Sequence, residues 1–147
     1  MASEIRKQIR DAATTALTGL TTTGSKVYPS RVYEMQAADL PGLRIFTNSQ
    51  TVVQVDVAAN PTEENALELV VEACAKTGAD LDDTLDAMVK EVRVALAGVQ
   101  TLGGAKRVSL KTIEVEMEAE AEAPRGVARL TFEVLYYSAQ NAPDVAI

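Results

Sequence analysis

Two consecutive segments near the C-terminal end constrain the fold more than anything else in the chain. In "TIEVEMEAEAEAPRG", residues 112–126, Ile113, Val115, Met117, Ala119 and Ala121 alternate with Glu114, Glu116, Glu118, Glu120 and Glu122. In "VARLTFEVLYYS", Ala128, Leu130, Phe132, Val134 and Tyr136 fall on alternate positions. A period of two is the spacing of a β-strand, whose side chains point to opposite faces in turn. We therefore expect strands from Val108 to about Met117 and from Val127 to Tyr137, joined by an Ala/Glu/Pro/Gly connection. Such strands carry one apolar face, and that face must be covered by another layer.

Two helices supply candidates for the cover. After Ser3, which can cap an orphan amide of the first turn, Ile5, Ile9, Ala13, Ala16, Leu17 and Leu20 recur at helical spacing. Glu4 sits at the positive end of that helix dipole, and Thr21-Thr22-Thr23-Gly24 ends the helix. The second helix is "LDDTLDAMVKEVRVALAG". Asp80 is placed to cap it and acids at 82, 83 and 86 lie early. Leu81, Leu85, Met88, Val89, Val92 and Leu96 form its apolar stripe, and Gly98 marks its end.

Between the helices lie shorter extended pieces. Val27, Tyr28, Val32 and Tyr33 surround Pro29, which cannot donate to a ladder and so marks an edge or an end. A turn at Pro41-Gly42 precedes a strand from Leu43 to Phe46. In "TVVQVDVAA", Val53, Val55 and Val57 share one face and Gln54 and Asp56 the other. Residues 60–78 satisfy two periods at once. Asn60, Pro61, a Glu64-Glu68-Glu72-Lys76 stripe and Gly78 read as a helix. Leu67, Leu69, Val71, Ala73 and Ala75, alternating with Glu68, Val70, Glu72, Cys74 and Lys76, read as a strand. A repeat of four fits both, so pattern leaves the choice open, with helix slightly ahead.

Composition narrows the function. The 147 residues suit one domain with a core, and that core is mostly aliphatic, because there are two Phe, four Tyr and no Trp. The net charge of −7 argues against a free-standing nucleic-acid binder, which needs a basic patch. Absence of histidine removes the commonest general base and metal ligand. The single cysteine, Cys74, excludes an intrachain disulfide and fits assembly in a reducing cytosol. The start "MASEIRKQIRD" lacks the apolar stretch of a secretion signal, and no apolar run is long enough to span a bilayer.

No constellation points to catalysis or to a metal. Carboxylates two apart on a strand stand roughly 6.6–6.8 Å from each other in a row, whereas calcium needs oxygens converging on one point. Glu114 and Glu116 read as a solvated strand face with Ile113, Val115 and Met117 facing the core. Glu118, Glu120 and Glu122 read as an acidic connection. Asp80, Asp82, Thr84 and Glu91 match a calcium-loop register, but Leu85 stands where that loop needs glycine, so a helix start is the better reading. Cys74 has no histidine to activate it and reads as a small buried or interface residue. Gly103-Gly104 lacks the Lys-Ser/Thr of a phosphate loop. Arg44, Arg93, Lys106, Arg107, Arg125 and Arg129 are scattered; pairing with Asp or Glu across subunits is open to them, but ordinary surface charge is the stronger reading.

Three stretches, in their order and spacing, resemble the tail terminator proteins of long-tailed bacteriophages, the minor tail protein U-like family. They are "IRKQIRDAATTALTGLTTTGSKVYPSRVY", "LELVVEACAKTGADLDDTLDAMVKEVRVALAG" and "RLTFEVLYYS". The resemblance implies an α/β (α+β) fold: a single two-layer domain, two main helices packed against a mixed, largely antiparallel sheet. It makes Ala66–Lys76 a strand. It implies one domain over residues 1–137 and a C-terminal tail, 138–147, that is mobile or docks on a neighbouring subunit. In function it implies a virion structural protein with no catalysis, cofactor or metal. Six copies would form a ring capping the head-proximal end of the tail tube, stopping its polymerisation and offering a surface for head joining. The partners would be further copies of the chain, the tube protein and a head–tail connector or head-completion protein. DNA would be a passenger through the lumen, and the ring would assemble in the host cytoplasm. Expected partner contacts fall in Asn60–Asn65 and Glu118–Gly126, with Asn60, Glu63, Glu64, Glu118, Glu120, Glu122 and Arg125 as candidates. The rival readings are another neck component and, from a different class, a small cytosolic enzyme or regulatory domain.

Overall fold

The computed structural model describes residues 4–30, 32, 35–99, 102–118 and 124–147. Its elements run α1 (Ile5–Leu17), β1 (Val27–Tyr28), a 3-10 turn (Ala37–Asp39), β2 (Gly42–Gln54), β3 (Thr62–Lys76), α2 (Leu81–Ala97), a second 3-10 turn (Leu102–Gly104), β4 (Arg107–Glu118), β5 (Arg125–Ala139) and β6 (Ala142–Ala146). The strands form one sheet in the order β1-β2-β3-β5-β4, with β6 paired to the end of β5. Only β1 with β2 is parallel; the other pairs are antiparallel. The expected fold class holds: two helices pack on a mixed, largely antiparallel sheet.

Both helices bury the stripe their periodicity announces. Ile5, Ile9, Ala13 and Leu17 of α1 and Leu85, Met88, Val92 and Leu96 of α2 join one apolar core. The sheet contributes Leu67, Leu69, Val71, Ala73 and Ala75 from β3 and Ala128, Leu130, Phe132, Val134 and Tyr136 from β5. Details at the ends differ from expectation. Ser3 lies outside the described residues. α1 stops at Leu17, and Leu20 instead closes a tight turn, bridging to Gly24. Asp80 occupies the N-cap position of α2, but its side chain makes no capping bond. The 3-10 turn before β4 is held against α1 by Gly103, at φ 57°, where an added Cβ would lie 2.8 Å from Ile9 Cα. Only glycine fits there.

The ambiguous segment is a strand, as the resemblance implies, and burial explains why. β3 is central, flanked by β2 and β5, and Val70 through Ala75 are buried without a break on both faces. Odd positions face the helices. Cys74 faces the opposite side, in a small second cluster with Met35, Leu40 and Val127. A helix would have wasted one of these faces on water. The Glu64-Glu68-Glu72 spacing that looked like a helical stripe is one outer face of the strand. Each member finds a partner on an adjacent strand: Glu68 accepts from the Asn48 side chain of β2 at 2.8 Å, and the partners of Glu64 and Glu72 are set out below.

Two further expectations change. The extended pieces expected at 43–46 and 51–59 join in one strand, β2, which has an irregularity between Thr47 and Gln50 and ends at Gln54, so Val55 and Val57 lie in the connection after it. In β4, Ile113, Val115 and Met117 pair opposite Leu130, Ala128 and Gly126, so they do point to the helix side. They are not covered, however, with exposures of 41%, 61% and 56%. α2 lies over β3 and β5 and reaches only the first half of β4.

Candidate interface surfaces

The residues expected to meet partners gather at opposite ends of the sheet. Asn60, Glu63 and Glu64 lie where β2 turns into β3. Glu118 and Arg125 lie where β4 passes to β5. Glu120 and Glu122 fall outside the described residues. β3 and β5 pair without a register shift from Thr62↔Ala139 to Lys76↔Arg125, a span of about 47 Å at strand rise.

The β2–β3 end is built in advance. Asp56 accepts backbone bonds from Ala58 (3.2 Å) and Thr62 (3.2 Å to one oxygen, 3.3 Å to the other). Those amides, Ala58 first, hold its carboxyl below the usual range. Asn60 donates to the Asn141 side chain at 2.8 Å and accepts from the Asn141 amide at 3.1 Å. The Gln140 amide donates to the Pro61 carbonyl at 3.0 Å. The connection is thus clamped to the turn between β5 and β6. Glu64 accepts from the Tyr137 hydroxyl at 3.0 Å, and that bond raises the hydroxyl above its ordinary pKa. Glu63 sits opposite Gln54 and Ser138, half-buried. Beyond the clamp Val55 (49%) and Val57 (104%) are exposed. Residues 142–147 also turn back on this same domain: β6 pairs with β5, and Gln8 donates to the Asp144 carbonyl at 3.0 Å.

The other end is tied inward. Arg125 is buried, donating to the Met35 carbonyl at 2.9 Å and to Glu118 at 2.8 Å. Its side chain fastens the start of β5 to the segment before β2 and leaves little for a partner.

Arg44, Arg125 and Arg129 are not ordinary surface charge, whereas Arg93, Lys106 and Arg107 are exposed. Cα register places Arg44, Glu72, Arg129 and Glu114 side by side on β2, β3, β5 and β4. Glu72 is 1% exposed and takes Arg44 on one oxygen and Arg129 on the other, the latter at 2.9 and 2.7 Å. Arg129 also reaches Glu116 at 3.3 Å. The bond to Glu72 raises the Arg129 guanidinium above its ordinary value. Removing one member of such a buried set strands the others, which is costly. The chemistry here is structural: charges neutralise one another across strands.

The remaining decoys resolve the same way. Glu91 bonds the backbone and hydroxyl of Thr22, tying α2 to the turn after α1. Cys74 is buried, and burial pushes its thiol up to about 11, which makes it a poor nucleophile. Among the described residues no three His, Cys, Asp or Glu side chains converge as a metal site would need.

One surface was missed from sequence. A groove of about 660 Å³ runs between α2 and β4, lined by Val89, Val94 and Leu96 on one side and Val108, Leu110 and Phe132 on the other. Lys90, Arg93 and Asp86 stand on its α2 side. Its residues come from three elements 46 positions apart in the chain, from Asp86 to Phe132, so no local pattern marks it. The uncovered row Ile113, Val115, Met117 lies further along the same side of β4.

No protein-family profile matches the chain, and no curated protein does. Among solved structures the chain is similar to one described as "Virion of native gene transfer agent (GTA) particle". The two are 19% identical, with a TM-score of 0.46 and 92% of each chain covered.

Proposed function

We propose that the chain is a self-assembling structural subunit of a long-tailed phage virion, of the tail terminator kind. The observation that carries self-assembly is β4. It is a twelve-residue strand at the sheet edge, with an apolar row left bare on one face and acid on the other. A long edge strand with exposed aliphatic side chains is a liability in a free monomer and an asset in a subunit. The terminator role comes from the resemblance of the three stretches quoted above. On this reading six copies close a ring at the head-proximal end of the tail. The net charge of −7 per copy keeps DNA from being held as it passes. The mechanism is geometric: a closed ring ends tube growth because it offers no further tube-like surface. Asn60, Glu63 and Glu64 at one end of the sheet and Glu118 at the other would contact neighbouring copies, the tube or the connector.

The test is loss of the gene product during infection. Overlong tails, seen by electron microscopy, support a terminator. Tails of normal length that stay detached from heads identify a head–tail joining component instead. Particles with normal, attached tails remove the virion reading.

A further inference from the structure

We infer that the tip of the β2–β3 hairpin of one copy docks in the α2/β4 groove of the next. The inference rests on the self-assembly part of the proposal above and not on the virion role. The two surfaces complement each other in three respects.

The first is shape and polarity. The tip presents Val55 and Val57, the latter at full exposure, on a connection already ordered by Asp56 and clamped by Asn60. The groove has room for several aliphatic side chains, and its walls are Val89, Val94, Leu110 and Phe132. A preorganised knob loses little conformational freedom on docking, which favours binding.

The second is charge. From Ile45 to Ala75 the chain has no lysine or arginine, and the hairpin carries Asp56, Glu63 and Glu64. The α2 side of the groove has Lys90 and Arg93 against the single acid Asp86, and both cations are exposed. Like copies therefore attract when hairpin meets groove.

The third is topology. The tip cannot reach the groove of its own chain. Phe132 in the groove lies seven residues along β5 from Ala139, the partner of Thr62, or about 23 Å. The hairpin continues away from that point and is fastened to Asn141. Two different patches then meet head to tail, the kind of contact that propagates into a ring when its rotation closes.

Paired cysteines test this on the full chain, with Cys74 silent because it is buried. Under mild oxidation, Val57→Cys combined with Val94→Cys gives a ladder of covalent oligomers, and neither single variant does. Reversing Lys90→Glu with Arg93→Glu weakens self-association about tenfold at low salt, and mixing that variant with Glu63→Lys restores it. Circular dichroism checks that these substitutions, exposed except for the half-buried Glu63, leave the fold intact. Oligomers by native mass with no ladder overturn the hairpin–groove contact while self-assembly stands. Equal cross-linking in a single variant overturns it too, because the contact is then between like patches. A monomer at every concentration, with no ladder, overturns both.

Discussion

β5 and β4 are neighbours, both alternate apolar with polar residues, and they end in opposite environments. β5 sits between β3 and β4, and its Ala128, Leu130, Phe132, Val134 and Tyr136 are buried under the helices. β4 is next to it in the same sheet, and its Ile113, Val115 and Met117 are left bare. The pattern of two fixes which way a side chain points. Whether that direction is inside depends on what lies over it, and α2 does not extend over the second half of β4. An alternating strand with no cover is therefore informative in its own right, because its apolar row is available to another chain.

The largest effect that separates the two strands is on stability. Leu130→Ala should cost about 3–4 kcal/mol in urea unfolding, since it opens a cavity in the closed core. Val115→Ala, one pair along on β4, should cost under about 0.5 kcal/mol. Comparable losses would mean that β4 is covered after all. The polar face offers a second contrast. Glu72→Ala should cost about 3 kcal/mol, because Arg44 and Arg129 lose the carboxylate that neutralises both. Glu116→Ala, which removes a half-exposed partner of Arg129, should change stability by less than about 0.5 kcal/mol.

A smaller, pH-dependent effect belongs to Cys74. Its thiol is raised from 9.0 to about 11 by burial, so the folded chain keeps a proton that the unfolded chain gives up. Stability is therefore fully present below pH 9 and falls as pH rises through about 11. Cys74→Ser or Cys74→Ala should flatten that alkaline fall, and wild-type Cys74 should resist alkylation at pH 8 until the chain is unfolded. The smallest effect is local. The Asp56 carboxyl is held below its ordinary range, so its bonds persist above that range and are lost as pH drops through the folded value. Hydrogen exchange should show the Ala58 and Thr62 amides opening first on acidification, with the β3–β5 amides unchanged.

These contrasts also mark what could be read from the chain. The apolar stripes of both helices and of β5 follow from periodicity alone, because each buries the face its spacing defines; β4 is legible as a strand, but not that its apolar row is left bare. Residues 62–76 did not, since a repeat of four fits helix and strand, and the deciding fact is that a central strand buries both faces. The resemblance supplied that assignment. Arg44, Glu72 and Arg129 could not be joined from sequence either. They are 28 and 57 residues apart and meet only when register places them side by side. The α2/β4 groove was illegible for the same reason. Of the expected contact residues, Asn60 and Glu64 hold the hairpin together and Arg125 is spent inside its own chain.

The unbroken pairing of β3 with β5 has one more consequence. Fifteen residues on each strand are in register with no bulge, and the charge row crosses them near one end. Such a beam neither stretches nor slips without moving every side chain to the wrong face. A molecule bound at the Asn60 end and another bound near Glu118 are held a set distance apart. The subunit is a gauge block: in any stack that uses both ends, its thickness is dictated by the number of residues in one strand.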